Sequence, residues 1–289
     1  HFKCMKRYDI LCLEKLKHMK TKSRLTITLS QELLRKVDAL IDGHTIRNRS
    51  HAIESLVKQG LSTQVSTAVI LAGGDHKNGS IPALKKINNR PLLAMTLEHI
   101  KNYGVTHIVI CAGINEAAIK AEFGSGSKFG VTIVYSQENK RLGTAGAIKN
   151  AEKYIDDEAF LVINDTTLTN LNLDDLFEFQ RQEDTTSTIC VKPRMSEPKY
   201  GQAFLHGNRI VKFMDSSENQ GISIVNVGLY VLKREIFGLI KKNTYLNLET
   251  DIFPQLAQDK ELSAFVFQGS WFDASADESF NEAIKEFSK

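Results

Sequence analysis

The sequence predicts an α/β fold, a doubly wound and mostly parallel sheet, with a short strand–helix–helix module in front of it. Three observations carry this prediction. From Ala68 onward, short apolar runs alternate with segments of helical periodicity. The first run, Ala68–Ala72, ends in Gly73–Gly74, as a buried strand does when it delivers its carboxyl end to a ligand. Ahead of it, Leu25, Ile27 and Leu29 alternate with Arg24, Thr26 and Thr28, and two amphipathic stripes follow.

Composition is consistent with a globular chain: 289 residues, 42% hydrophobic and 25% charged. No apolar run approaches the roughly 20 residues that span a membrane, so no membrane partner is expected. The four cysteines, Cys4, Cys12, Cys111 and Cys190, have neither metal-ligand nor disulfide spacing. No hydrophobic leader precedes a cleavage site, and a reduced, cytoplasmic protein is expected. Charge divides unevenly. Residues 1–65 hold 13 Lys+Arg against 6 Asp+Glu, and the remainder hold 24 against 28. A basic head on an acidic body suits a polyanionic partner. Residues 1–22 read as a basic arm or, given His18-Met19-Lys20, a tag-derived segment.

The module occupies residues 23–61. After the alternating strand, Ser30 is placed to cap a helix whose stripe is Leu33, Leu34, Val37, Leu40 and Ile41, with Gly43 ending it. Ser50 is placed to cap a second helix with the stripe Ile53, Leu56, Val57 and Leu61. One strand and two short helices cannot close a core alone, and the strand has an unpaired edge, so a homodimer is expected. This pattern resembles the ribbon-helix-helix (Arc/MetJ-type) family. The resemblance implies double-stranded DNA as partner, with Arg24, Thr26 and Thr28 reading base edges and Arg49-Ser50 anchoring a phosphate.

Residues 62–67, a short polar stretch, read as a linker to a domain over 68–289. Strands are expected at Ala68–Ala72, Ile108–Ala112, Val131–Tyr135 and Phe160–Ile163, with helices starting from Pro91, Asn115, Thr144 and Leu173. Thr186–Val191, Asn208–Phe213 and Ile222–Leu232 follow at closer spacing, which suggests an added mixed-sheet layer. Within this frame, "LAGG", "NRPLL", "ENKRLGTAGAI", "FLVINDTTLTNLNL", "IVNVGLYVL", "NLETDIFPQLA" and "GSWFDASADESFNEAI" occur in order. Together they resemble the sugar-phosphate nucleotidyltransferases, whose fold is Rossmann-like (GT-A-like).

That resemblance implies transfer of a nucleotidyl group to a sugar 1-phosphate, with cations on the phosphates and carboxylates holding Mg²⁺. It implies that Leu71, Ala72, Gly73 and Gly143 contact a base, and that Tyr200, Gly201, Asn226, Gly228 and Glu249 surround a sugar. Gly74 and Thr144 complete the ligand-binding set. Asp165 and Asp273 are the metal candidates. The chain also departs from the family pattern. Asp75–Gly79 carries no arginine, and Pro82 stands where the family has a lysine. Thr166 takes the position of a metal-binding aspartate, with Asp165 one residue early. Asp215-Ser216-Ser217 replaces the family's Glu-Lys-Pro.

Two functions follow as expectations. One is a DNA-binding, transcriptional regulator whose degenerate transferase-like domain needs no cofactor and senses a nucleotide or sugar nucleotide or mediates assembly. The other is an active sugar-1-phosphate nucleotidyltransferase that uses Mg²⁺, with Lys77, Lys85 or Lys86 rebuilding the phosphate contacts.

Overall fold

The fold was read from a computed structural model, which describes residues 26–44, 46–62, 65–74, 79–195, 201–214 and 222–287. The chain separates into two compact units, one ending at Val57 and the other beginning at Lys58.

In the first unit, α1 (Gln31–Asp38) is capped as expected. The Ser30 side chain accepts from the Leu33 N–H at 3.2 Å. The helix ends earlier than its apolar stripe, at an Ala39 C-cap. A turn follows, in which Asp42 Oδ1 accepts from His44 N and Ile46 N. The second helix, α2 (Arg49–Ser62), starts one residue before Ser50. Its cap is Asn48, whose Oδ1 accepts from His51 N at 2.9 Å. Of the expected strand, Arg24 and Leu25 lie outside the described residues, and the described part is not a strand. Thr26–Ser30 carries no regular structure, because a lone strand has no partner for its backbone groups. Among the described residues of this unit, Val37 and Ala52 are the buried hydrophobics, whereas Ile27, Leu33, Leu40, Leu56 and Val57 are exposed.

The second unit is built on a mixed sheet. Among the described residues its strands are β1 (Thr67–Leu71), β4 (His107–Cys111), β5 (Thr132–Tyr135), β6 (Ala159–Asn164), β8 (Ser187–Met195), β9 (Gln202–His206), β10 (Arg209–Met214), β11 (Ile222–Lys233) and β12 (Leu262–Val266). They lie in the order β5-β4-β1-β6-β11-β8-β12-β10-β9. The first four are mutually parallel, and β11 closes against β6 antiparallel. Two short ribbons are appended: β2 (Lys86–Ile87) with β3 (Arg90–Pro91), and β7 (Thr167–Thr169) with β13 (Trp271–Asp273).

Helices cover both faces, so the central strands are apolar throughout rather than alternating. Along β1 the side chains divide by parity. Ala68 and Ile70 join a core with Leu97, Ile108, Ile110 and Leu173, while Val69 and Leu71 join one with Val109, Phe160, Tyr230 and Phe253. The first core is roofed by α3 (Leu92–Lys101) and α6 (Leu173–Glu183). The second is roofed by α5 (Gly143–Ala151) and by α7 (Phe253–Gln258), which a π-helical turn over Leu248–Ile252 precedes. A small third core gathers Ile87, Leu92, Leu168, Ala274 and Ala283 beneath α8 (Asp277–Phe287). It fastens the last segment of the chain, and with it Asp273, to the carboxyl ends of the strands.

Candidate functional site

The parallel strands end in one cleft, where an α/β sheet offers its ligand site. A cavity of about 620 Å³ opens there, lined by the ends of β1, β4 and β6, the loop entering α5, and Tyr245 and Asn247. That size suits a nucleotide-sized ligand.

Its first wall is the Gly73–Gly74 turn. Asn115, just ahead of α4 (Glu116–Phe123), holds that turn through Nδ2, donating to Ala72 O at 2.8 Å and Gly74 O at 3.2 Å. Opposite stands the start of α5. Gly143 sits at φ +72°, and a Cβ there would lie 2.4 Å from Leu246 O, so only glycine fits. The first turn of α5 is satisfied from outside the helix. Asn247 Oδ1 accepts from Thr144 N at 3.1 Å, and Leu246 O accepts from Ala145 N at 3.0 Å.

Beneath this turn runs a polar chain. Thr144 Oγ1 donates to Glu249 Oε2 at 2.9 Å, and the buried Tyr230 hydroxyl donates to Glu249 Oε1 at 3.1 Å. Asn226 Nδ2 donates to that hydroxyl at 2.8 Å, while Asn226 Oδ1 accepts from Gly228 N at 3.0 Å. Burial, aided by the Glu249 charge, pushes the Tyr230 phenol far above its ordinary pKa, so it stays a neutral donor. Asn164 Oδ1 is buried in the cleft with no protein partner.

The carboxylates meet at the end of β6. Asp165 is held by a bond from its own N–H to Leu71 O at 3.0 Å and accepts from Ala83 N at 3.3 Å. Burial raises its pKa to about 7, and the charge of nearby Asp273 adds to the rise. Asp273 is itself fixed, accepting from Ser275 N at 2.9 Å and Ser275 Oγ at 2.6 Å. Two desolvated, neighbouring carboxylates suit a hard divalent cation that also takes substrate phosphate oxygens. Among the described residues no third carboxylate, imidazole or thiolate joins them.

The residues expected from sequence therefore distribute as follows. Leu71, Gly73, Gly74, Gly143, Thr144 and Asp165 line the cavity. Ala72 is buried just behind it, and Gly201 O accepts from Asn226 N. Asn226, Gly228 and Glu249 belong to the polar chain under the cavity. Tyr200, Lys77 and the 215–217 segment lie outside the described residues. Lys85 is not on the cavity wall. Its Nζ donates to Ala274 O at 2.7 Å and sits 5.0 Å from the centre of the Phe280 ring, tying the β7–β13 region to the Pro82–Leu84 turn. Lys86 is exposed on β2 and is not part of the cavity wall.

In the first unit, Arg24 lies outside the described residues, and Thr26 and Thr28 are exposed but not on a strand. Arg49 is engaged within the protein. Its guanidinium makes two bonds to Asp38, at 2.6 and 2.8 Å, clamping α2 to α1 and lowering the Asp38 pKa. Ser50 is exposed in the first turn of α2.

Sequence reading missed Glu138, Lys140, Arg141, Ile114, Tyr245 and Asn247 on the cavity wall. Signals existed for some of them. Glu138, Lys140 and Arg141 fall in the loop between a strand end and a glycine-opened helix, where ligand contacts concentrate.

With this geometry established, comparison with known proteins is informative. The sequence profile described as "Nucleotidyl transferase" matches residues 67–289. The chain belongs to the nucleotidyl transferase family. Among curated members, mannose-1-phosphate guanyltransferase 2 of Candida glabrata is 31% identical over 210 residues, 70% of this chain and 57% of that protein. Mannose-1-phosphate guanylyltransferase of Mycobacterium tuberculosis is 28% identical over 194 residues, 66% of this chain and 54% of that protein. The chain thus spans little more than half the length of these nucleotidyl transferases. Among solved structures, HddC from Yersinia pseudotuberculosis superposes with a TM-score of 0.68 at 25% identity, over 77% of this chain and all of HddC, and one of its structures is complexed with GMP-PN. The match leaves the residues before 67 outside it.

Proposed function

We propose that the second unit is a sugar-1-phosphate nucleotidyltransferase, binding a nucleoside triphosphate in the 620 Å³ cavity and a sugar phosphate beside it. The observation that carries this reading is Asp165 on the cavity wall, with the Asp273 carboxylate near enough to raise its pKa. A carboxylate withdrawn from water beside a second one, as Asp165 is beside Asp273, marks a place where positive charge belongs. In the reaction, an oxygen of the sugar 1-phosphate forms a bond to the α-phosphorus while the bond to pyrophosphate breaks. Asp165 and Asp273 would hold a divalent cation, which when bound neutralises phosphate charge. The chain's own groups do the positioning. The Gly73–Gly74 turn lets backbone approach the nucleotide, and the Thr144–Glu249–Tyr230–Asn226 chain fixes the orientation of the groups facing the sugar.

Pyrophosphate release from a nucleoside triphosphate and a sugar 1-phosphate in Mg²⁺ tests this. Turnover is expected, with a loss of roughly 10²-fold or more in Asp273→Ala. Binding without any pyrophosphate release would instead support the second reading.

That second reading is a binding domain that has lost its chemistry, coupled to a DNA-binding, dimeric first unit. It is favoured by Thr166 at the expected aspartate position and by Lys85 being committed to Ala274 O. The exposed Ile27, Leu33, Leu40, Leu56 and Val57 favour a second copy covering the first unit.

A further inference from the structure

Asp165 and Asp273 come from distant stretches of the chain, and a third stretch joins them. Asp165 directly follows β6, and Asp273 is the last residue of β13. The residues after them are bonded to each other, Ala274 N donating to Thr166 O at 2.8 Å. The Pro82–Leu84 turn supplies a second link. Its Ala83 N–H donates to Asp165 Oδ2 at 3.3 Å, and Lys85, just beyond the turn, donates from Nζ to Ala274 O at 2.7 Å. These bonds close a ring through both acidic residues.

The Lys85 bond reaches Asp273 through one rigid unit. The carbonyl it grips belongs to the Ala274–Ser275 peptide, whose N–H at Ser275 donates to Asp273 Oδ1 at 2.9 Å. A peptide is planar, so fixing its oxygen fixes the direction of its N–H. An ammonium on the oxygen also polarises the unit and strengthens the bond from the N–H to the carboxylate. The arrangement has a cost, because ordering a long side chain takes rotamer freedom and a half-buried ammonium loses hydration. The charge-assisted bond and the Phe280 ring of α8, its centre 5.0 Å from Nζ, offset that cost. An apolar side chain of similar length would fill the space without it, so the contribution of the ammonium lies in what it orients.

Resting on the nucleotidyltransferase reading, we propose that Lys85 is a positioning residue for the divalent-cation site. Through the Ala274–Ser275 peptide it aims the Asp273 carboxylate, and through its own turn it fixes that carboxylate against Asp165. Groups that hold a metal's carboxylate ligands in place govern the affinity of the site. Lys85 therefore serves the phosphates indirectly, by way of the cation's ligands. The commitment of its ammonium to Ala274 O is then part of the machinery.

Two measurements on the full chain test the assignment: binding of Mn²⁺ alone, by electron paramagnetic resonance, and binding of inorganic tripolyphosphate in a metal chelator, by calorimetry. Lys85→Met is expected to weaken Mn²⁺ roughly tenfold or more, with tripolyphosphate affinity and the metal-free melting temperature close to wild type. Lys85→Arg keeps a cation able to donate to Ala274 O and should recover most of that loss. Phe280→Leu removes the ring beside the ammonium and should weaken Mn²⁺ several-fold, which keeps the test open if Lys85→Met fails to fold. Lys86→Met, at the exposed neighbour, should change neither affinity. Weaker tripolyphosphate binding with Mn²⁺ unchanged would make Lys85 a phosphate contact and overturn the proposal. Tighter Mn²⁺ binding in Lys85→Met would also overturn it, since an ammonium that only faced the carboxylates would repel a second cation. Unchanged Mn²⁺ binding in both Lys85→Met and Phe280→Leu would reduce the bond to packing and leave the transferase reading intact. A wild type that binds no Mn²⁺, or binds it no better than Asp273→Ala, would overturn both.

Discussion

The two units of this chain spend their apolar residues in opposite ways. In the second, both faces of the sheet are sealed, and β1 is buried along its whole length. In the first, among the described residues, Val37 and Ala52 are buried while five large hydrophobics stay open to water. Burial supplies roughly 25 cal/mol per Å² of apolar area, and ordering a backbone costs about 1–2 kcal/mol per residue. On those terms the second unit sustains itself, whereas two short helices closed over two small side chains do not. The Asp38–Arg49 clamp orders the helix pair but, lying in water, adds little to its stability.

The largest expected effect breaks the chain at that contrast. A chain beginning at Val65 should unfold cooperatively, with a melting temperature within a few degrees of the full-length protein. A peptide of residues 23–62 should show little helix at micromolar concentration, and helicity that grows with concentration if second copies supply the missing core. Circular dichroism over a concentration series reads this directly. A peptide folded and monomeric at all concentrations would contradict the argument from burial. Leu33→Ala and Leu56→Ala, both at exposed positions, sharpen the test. They should be silent in a monomer but should weaken self-association.

The contrast also explains what was legible in the sequence. The parallel strands were readable because burial on both faces leaves unbroken apolar runs, and Ala68–Ala72 and Phe160–Ile163 fall within a residue of β1 and β6. The alternation over 24–29 was legible as a pattern, yet its described part, 26–29, carries no strand, since alternation signals a pairing that one chain does not supply. Ser50 as a cap failed for a local reason: Asn48 reaches His51 N first. In the site, glycines and strand-end carboxylates could be named, because their backbone roles tie them to motifs. Glu138, Lys140 and Arg141 escaped, because a charged loop residue looks the same in sequence whether it faces a cavity or water. Lys85 misled for the converse reason. A lysine near a phosphate site carries no mark that its ammonium is already committed to Ala274 O.

Within the well-packed unit, the next effect probes how little slack the site has. Gly143→Val should cost roughly 3–5 kcal/mol, combining a positive φ with a Cβ forced to 2.4 Å from a backbone oxygen. Chemical denaturation should show the midpoint falling at constant slope, with nucleotide binding lost at temperatures where the variant is still folded. Had the backbone room to yield, the loss would stay near the ~1 kcal/mol of an ordinary surface glycine replacement.

The smallest effect is a pH dependence, and it isolates what the site costs the fold. Asp165 has its pKa raised to about 7 by burial and by Asp273, against an ordinary value near 3.8. Between those two values the native protein holds a proton that the unfolded chain has released. Stability should therefore fall as pH rises from about 4 to about 7 and level off above, where the ionised carboxylate is carried at full cost. Asp165→Asn keeps the shape without the charge. It should flatten that slope and be more stable than the wild type at pH 8, by on the order of 2–4 kcal/mol, with the advantage vanishing near pH 4. Denaturant midpoints for both proteins at pH 4.5, 6 and 8 provide the comparison. Parallel curves would mean that Asp165 ionises at its ordinary pKa, and the case for a site that waits for positive charge would lose its energetic support.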